Sequence, residues 1–268
     1  MNTRSDDRLS QVIKIAELAG NIAKKFFCWP ELKKSFKSKC DLVSEADITV
    51  EKMLLESLKT IDNIGFLSEE FNPETGLSNP CWIIDPIDGT TNFVAGIAPF
   101  AISIAHFDGE KVDLAVCFLP VTNEMFSAEA GKGAWLNGEK IHVNTDSSAI
   151  NCVGATGFAD ITQHGGTGTL PVFCNMVQKT RAMRRLGSAV TDLVYTACGK
   201  FAFFYEAGLS PWDVAAGSLI VKEAGGIVTD FSGGNDYILG KTIIASNPQM
   251  YDFVKNEIEI SLKQRLFI

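Results

Sequence analysis

The sequence predicts a mixed α/β fold of two lobes, and three observations carry that expectation. Short apolar runs that end in acids alternate with longer stretches of helical periodicity, the pattern of strands covered by helices. The pattern restarts beyond about residue 145, so the expected lobes are 1–145 and 146–268. With 268 residues, 46% of them hydrophobic, the chain is long enough to bury a large core.

Taken in order, a first helix is expected from about Asp6 to Phe27, where Leu9, Val12, Ile13, Ala16, Ala19, Ile22, Ala23 and Phe26 recur at helical spacing before Pro30. A basic run, K-K-S-F-K-S-K at 33 to 39, leads into D-L-V-S-E-A-D. There Ser44 and Asp47 have capping-box spacing for a second helix, roughly 45 to 60, with Ile48, Met53, Leu54, Leu58 and Ile61 toward a core. Residues 64 to 67 read as a strand running into Ser68-Glu69-Glu70.

The stretch W-I-I-D-P-I-D-G-T-T-N-F at 82 to 93 concentrates the chemistry. Trp82, Ile83 and Ile84 suit a strand buried on both faces, and Pro86 lacks the N–H a ladder needs, so the strand is expected to stop at Asp85. Gly89 permits a tight or left-handed turn, and Thr90 to Asn92 can open a short helix. Asp85 and Asp88 can converge on one hard cation with the Ile87 carbonyl between them, and an anion would suit the free N–H groups of Gly89 and Thr90. The competing reading is an Asx-type turn in which both aspartates serve only the backbone.

Residues 101 to 126 alternate as antiparallel strands around Asp108-Gly109. G-K-G-A-W-L-N-G at 131 to 138 reads as a glycine-rich turn with a packing role, because it lacks the G-K-[ST] of a phosphate loop. In the second half, strands are expected at 152–155, 183–186, 201–206, 227–230 and 242–246, and helices at 172–179, through Cys198, after Pro211-Trp212 and after Asn247-Pro248. A glycine-rich loop is expected at 164–168. Asp213 falls in the first turn of its helix, where an acid can be merely a dipole partner.

A formal charge of −8 and a pI near 5.0 argue against nucleic acid and anionic membranes as partners. The seven cysteines are scattered and form no C-x-x-C pair, so neither a disulfide framework nor a zinc site is expected, and reduced thiols fit a cytoplasmic setting. The start has no apolar signal-peptide core, and Gly96, Pro99, Ser103 and His106 interrupt the longest apolar span, so no membrane segment is expected.

Set side by side, Glu69, Asp85, Asp88 and Asp213 resemble the metal ligands of the inositol monophosphatase family, lithium-sensitive and magnesium-dependent phosphomonoesterases. The matching stretches span nearly the whole chain: K-x-x-x-D-x-V-x-x-x-D from Lys37 to Asp47, Glu69-Glu70, D-P-I-D-G-T-T-N-F, G-K-G-A-W-L-N-G and P-W-D-x-A-A-G at 211 to 217. The resemblance implies a layered αβαβα sandwich, often a homodimer, with its site between the lobes and two or three Mg²⁺ ions. It implies that Glu69, Asp85 and the Ile87 carbonyl hold one metal and Asp85, Asp88 and Asp213 a second, with Lys37 near a third metal or the phosphate. Thr90, steered by Asp47, would position a water with help from Glu69. Asp88, Gly89, Thr90, Gly187, Ala189, Glu206 and Asp213 would face the substrate.

Ser68, where the subgroup commonly carries Gly, and Ala202, where relatives generally carry Asp, depart from the pattern. None of His106, His142 or His164 falls in a matched motif, so each is read as a surface or packing histidine. The implied activity is hydrolysis of a small phosphate monoester, inositol monophosphate first. The alternatives are a bisphosphate nucleotidase, fructose-1,6-bisphosphatase or histidinol-phosphate phosphatase, and lastly a catalytically quiet sugar-phosphate binding or protein-interaction module.

Overall fold

The structure is a computed structural model that describes residues 3–29, 31–36, 42–74, 76–77, 79–164 and 168–263. Lys37, the expected phosphate neighbour, and Lys39 lie outside the described residues.

Helix α1 (Thr3–Phe26) buries Val12, Ala16, Ala19 and Ala23, the expected stripe. Strands β1 (Lys34–Phe36) and β2 (Leu42–Ser44) pair antiparallel, which the sequence did not announce. Helix α2 (Glu45–Leu58) opens on the expected capping box, with the Ser44 N–H donating to Asp47 Oδ2 at 2.9 Å. Its buried stripe is Ala46, Val50, Leu54 and Leu58, a four-residue repeat that leaves Ile48 40% exposed. Ile48 was expected in the core; the helix is rotated so that Asp47 and Glu51, not Ile48, lie beside the apolar stripe.

A seven-stranded sheet follows in chain order: β3 (Gly65–Ser68), β4 (Cys81–Asp88), β5 (Ala101–Phe107), β6 (Val112–Leu119), β7 (Glu124–Glu129), β8 (Gly133–Leu136) and β9 (Glu139–Ile141). Only β3 and β4 are parallel; the other neighbours are antiparallel. Strand β4 does not stop at Asp85 but continues through Pro86 to Asp88. Asp85 pairs with Ser103 and Asp88 with Ala101, so three steps on β4 oppose two on β5, and Pro86 sits in that bulge, where no ladder N–H is required of it. The bulge changes which way the two aspartates face. Short helix α3 (Thr90–Val94) then begins at Gly89, whose φ of 90° is left-handed and suits glycine.

The segment 131–138 is a turn only at its ends, since 133–136 form β8. The N–H groups of Gly131 and Gly133 each donate at 2.8 Å to the Glu223 carboxylate, so this loop cradles the chain's own anion.

The remaining helices are α4 (Ala159–His164), α5 (Leu170–Lys179), α6 (Ala189–Ala197), α7 (Pro211–Glu223) and α8 (Tyr251–Lys263). Strands β10 (Val153–Thr156), β11 (Ala182–Arg184), β12 (Phe203–Ala207), β13 (Ile227–Thr229) and β14 (Thr242–Ser246) form a second sheet in the order β11-β10-β12-β14-β13. Of these elements, only α4 had no counterpart in the sequence reading. The glycine-rich loop expected at 164–168 falls largely outside the described residues.

Five layers result. Helices α1 and α2 cover one face of the large sheet through Trp82, Ile84, Ile102 and Phe118. Helices α6 and α7 fill the space between the sheets, where Ile83, Leu193, Val214, Ile220 and Phe204 meet. Helices α5 and α8 close the outer face through Val172, Met176, Val254 and Ile258. Adjacent residues Trp82, Ile83 and Ile84 thus serve opposite layers, as an apolar run in a central strand must. This is the αβαβα sandwich that the resemblance implied. Among the described residues, no helix is long and apolar enough to cross a membrane.

Candidate active site

One cavity is lined by Glu69, Asp85, Ile87, Asp88, Gly89, Thr90, Gly187, Ala189, Glu206 and Asp213, ten of the twelve expected site residues, drawn from both sheets and the helix layer between them. Asp47 stands behind this lining, fully buried, and reaches it through Thr90. Lys37 is the twelfth.

At the centre, Asp85, Asp88 and Asp213 each offer a carboxylate oxygen, all within 4.8 Å of one another. At that spacing each pair of like charges repels by roughly 3 kcal/mol or more, taking an effective dielectric near 20. Burial and this crowding push the Asp85 carboxyl well above the usual range, with Glu69 the largest of its charged neighbours. Burial also raises Asp88 to about 6, against the pull of hydrogen bonds from Ser188 and Val190. Converging hard oxygens that repel one another are the donor set of a hard divalent cation, so the residues present fit Mg²⁺.

Each acid is also fixed by the local backbone. Asp85 Oδ1 accepts the Ile87 N–H at 2.9 Å, the Asx-type turn that was the competing reading. Asp213 Oδ2 accepts the Ser210 N–H at 2.7 Å and so caps its own helix, while Ser103 Oγ holds the Trp212 carbonyl at 3.2 Å. Asp88 Oδ2 accepts Ser188 Oγ and the Val190 N–H at the start of α6. The structural and functional readings of these acids therefore coexist.

Thr90 Oγ1 lies 3.1 Å from both Asp47 Oδ1 and the Ile87 carbonyl oxygen. Its single proton serves one of them at a time, leaving its lone pairs to accept. Burial raises the Asp47 carboxyl, although its other oxygen takes the Ser44 N–H and Oγ.

On the opposite wall Glu206 is buried and its carboxyl is pushed up to about 8 by desolvation. Its Oε1 accepts the Ala159 N–H at 3.1 Å. A Cβ at Gly157 would lie about 2.1 Å from that carboxylate, so a larger residue there would force the Glu206 side chain to shift. The charge of Arg185, which also lines the cavity, pulls the Glu206 carboxyl the other way, while Arg184 donates to the adjacent Met183 carbonyl.

Three features escaped the sequence reading. Asp192, on α6, lines the cavity at 1% exposure, its Oδ1 has no hydrogen-bond partner among the described residues, and burial followed by Glu206 raises its carboxyl well above the usual range. An acid flanked by the core positions Val190, Leu193 and Val194 was the available signal. Ser188 ties Asp88, and Glu51 binds two backbone amides beside Glu69. The histidine reading agrees for His106, which is buried against Trp82 and hydrogen-bonded to Asp113 at 2.6 Å. All six described cysteines are free.

With this five-layer sandwich and its acid-lined cavity, the chain belongs to the inositol monophosphatase family, which it matches over residues 6–261. It is 38% identical over 257 residues to the fructose-1,6-bisphosphatase/inositol-1-monophosphatase of Thermotoga maritima, covering 92% of this chain and 94% of that protein. To the Nus factor SuhB of Escherichia coli strain K12 it is 35% identical over 263 residues, covering 96% and 98%. The crystal structure of the extragenic suppressor protein suhB from Bartonella henselae superposes with a TM-score of 0.88 at 35% identity, covering 94% and 98%.

Proposed function

We propose that this protein is a Mg²⁺-dependent phosphatase of small polyol phosphate monoesters, with inositol monophosphate its best-fitting substrate. The convergence of Asp85, Asp88 and Asp213 within 4.8 Å carries the reading. Glu69, Asp85 and the Ile87 carbonyl would hold one ion, and Asp85, Asp88 and Asp213 a second, with Lys37 near a third or near the phosphate. When bound, the ions supply charge neutralisation at the phosphoryl group, a more acidic water and stabilisation of the leaving oxygen.

The chain's own residues orient the reactants. Thr90 Oγ1, held by Asp47 and the Ile87 carbonyl, accepts from the attacking water and fixes its approach, with the Glu69 carboxylate as the neighbouring proton acceptor. Gly89 leaves its backbone open to a phosphate oxygen. On the far wall, Gly187, Ala189 and Glu206 bound the alcohol part, and Glu206 accepts a ring hydroxyl. The site lies between the lobes 1–145 and 146–268. The family resemblance supports a homodimer, and the scattered free cysteines support a cytoplasmic setting.

Turnover of inositol 1-phosphate, fructose 1,6-bisphosphate, histidinol phosphate and adenosine 3′,5′-bisphosphate under one Mg²⁺ concentration tests the assignment. The highest kcat/KM should fall on inositol 1-phosphate; a clear preference for a nucleotide would reassign the substrate. The relatives named Nus factor SuhB support a second reading, a protein-interaction role beside catalysis. An Asp213→Asn variant would retain such a role while losing turnover.

A further inference from the structure

We propose that Glu51 is the positioning residue for Glu69, a role that rests on reading Glu69 as a metal-holding acid. Glu69 sits in a loop closed at its base by Ser68 and Asn72, whose N–H and carbonyl groups exchange bonds at 3.2 and 3.3 Å. Asn72 Nδ2 adds a bond to Ser68 Oγ at 3.2 Å. Residues 69 to 71 therefore project beyond the last rung of the ladder.

The loop has little apolar anchorage of its own, because Phe71 is 49% exposed. Glu51 supplies the anchor. Its side chain reaches the loop from α2, taking the Glu70 N–H on Oε2 at 2.9 Å and the Phe71 N–H on Oε1 at 2.8 Å. Two parallel charge-assisted bonds to consecutive amides fix both the position and the tilt of the backbone that follows Glu69. Glu51 is 0% exposed, and no cation stands opposite it among the described residues, so these amides are what compensates its burial.

The placement on α2 has a second consequence. Asp47 and Glu51 are four residues apart and share one helix face. Asp47 reaches Thr90 and Glu51 reaches the Glu69 loop, so one rigid helix holds both the water-orienting hydroxyl and the loop that carries Glu69. Groups that orient metal ligands from behind commonly change metal affinity by about 10–100-fold when altered.

The test is Mn²⁺ binding to the full chain, followed by electron paramagnetic resonance, with amide hydrogen exchange at residues 70 and 71. Glu51→Gln keeps the shape but offers one acceptor in place of two. The expected result is a Kd for Mn²⁺ raised about tenfold or more, with faster exchange at Glu70 and Phe71. In a Glu69→Gln background, Glu51→Gln should change the Mn²⁺ affinity no further. Wild-type affinity in Glu51→Gln, or the same added loss in both backgrounds, would overturn the role and leave Glu51 a core carboxylate that serves stability alone. Should Glu51→Gln melt below the assay temperature, Glu51→Asp, which withdraws both oxygens by one methylene, is measured in its place, and unchanged affinity there also overturns it. Wild-type protein that binds no Mn²⁺ would instead refute the metal reading itself.

Discussion

Asp88 and Ser188, one hundred positions apart, are joined by a hydrogen bond from Ser188 Oγ to Asp88 Oδ2, and the Val190 N–H donates to the same oxygen at 2.9 Å. This bond links the end of β4 to the start of α6, so an acid of the cluster is oriented by the helix layer between the sheets. The same carboxylate also offers an oxygen to the group it forms with Asp85 and Asp213. Ser188→Ala leaves the Val190 N–H in place but removes the tighter donor. Its expected effect is a loss of about tenfold in kcat with a fall of a few degrees in Tm. Unchanged kcat with lowered Tm would make Ser188 purely structural.

Asp213→Asn isolates the metal role, because its amide oxygen can still accept the Ser210 N–H that Asp213 Oδ2 takes at 2.7 Å. A neutral amide is a poor ligand for a hard cation, so kcat should fall by about a hundredfold or more while Tm stays near that of the wild type. Steady-state kinetics paired with thermal melting reads both quantities. Near-normal turnover would remove Asp213 from the proposed cluster.

Most elements, the capping box of α2, and the convergence of Asp85 and Asp88 beside Gly89 and Thr90 were legible from local signals: helical spacing, an N-cap serine, acids at a strand end. Gly187, Ala189, Glu206 and the ligand roles of Glu69 and Asp213 came only from the resemblance to the family. The course of β4 was not legible. Pro86 argues for a stop at Asp85, and only pairing with β5 reveals the bulge that carries the strand to Asp88. Ile48 was misplaced for a related reason, since the rotation of α2 follows from the buried Asp47 and Glu51, and acids are ordinarily expected outside. Asp192 and Glu51 escaped because their roles depend on contacts made far away in the chain.

Glu206 is expected to read a substrate hydroxyl. Glu206→Gln should reduce kcat/KM for inositol 1-phosphate much more than for an aryl phosphate, because a site built to bind a hydroxyl discriminates strongly against analogues that lack it. Equal losses on both substrates, accompanied by a lower Tm, would show that Glu206 only holds the Ala159 N–H and the wall around it.

Asp192 predicts a dependence of stability on pH in the presence of EDTA. Its carboxyl is raised in the folded chain by burial, then by Glu206, while the unfolded chain ionises it near the ordinary value of about 3.9. Between those two values the folded state binds more protons, so stability is greatest at low pH and falls as pH rises toward the folded pKa. Asp192→Asn removes this contribution. The variant should therefore lose less Tm than the wild type between pH 5 and pH 8, and parallel Tm profiles would contradict the assignment.

The most direct test of the metal-dependent phosphatase reading is release of inorganic phosphate from inositol 1-phosphate by the purified chain, with Mg²⁺, with excess EDTA, and with Mg²⁺ restored. Turnover is expected with Mg²⁺, none detectable in EDTA, and recovery on restoration. Undiminished turnover in rigorously metal-free buffer would contradict it, since Asp85, Asp88 and Asp213 would then have no cation to hold.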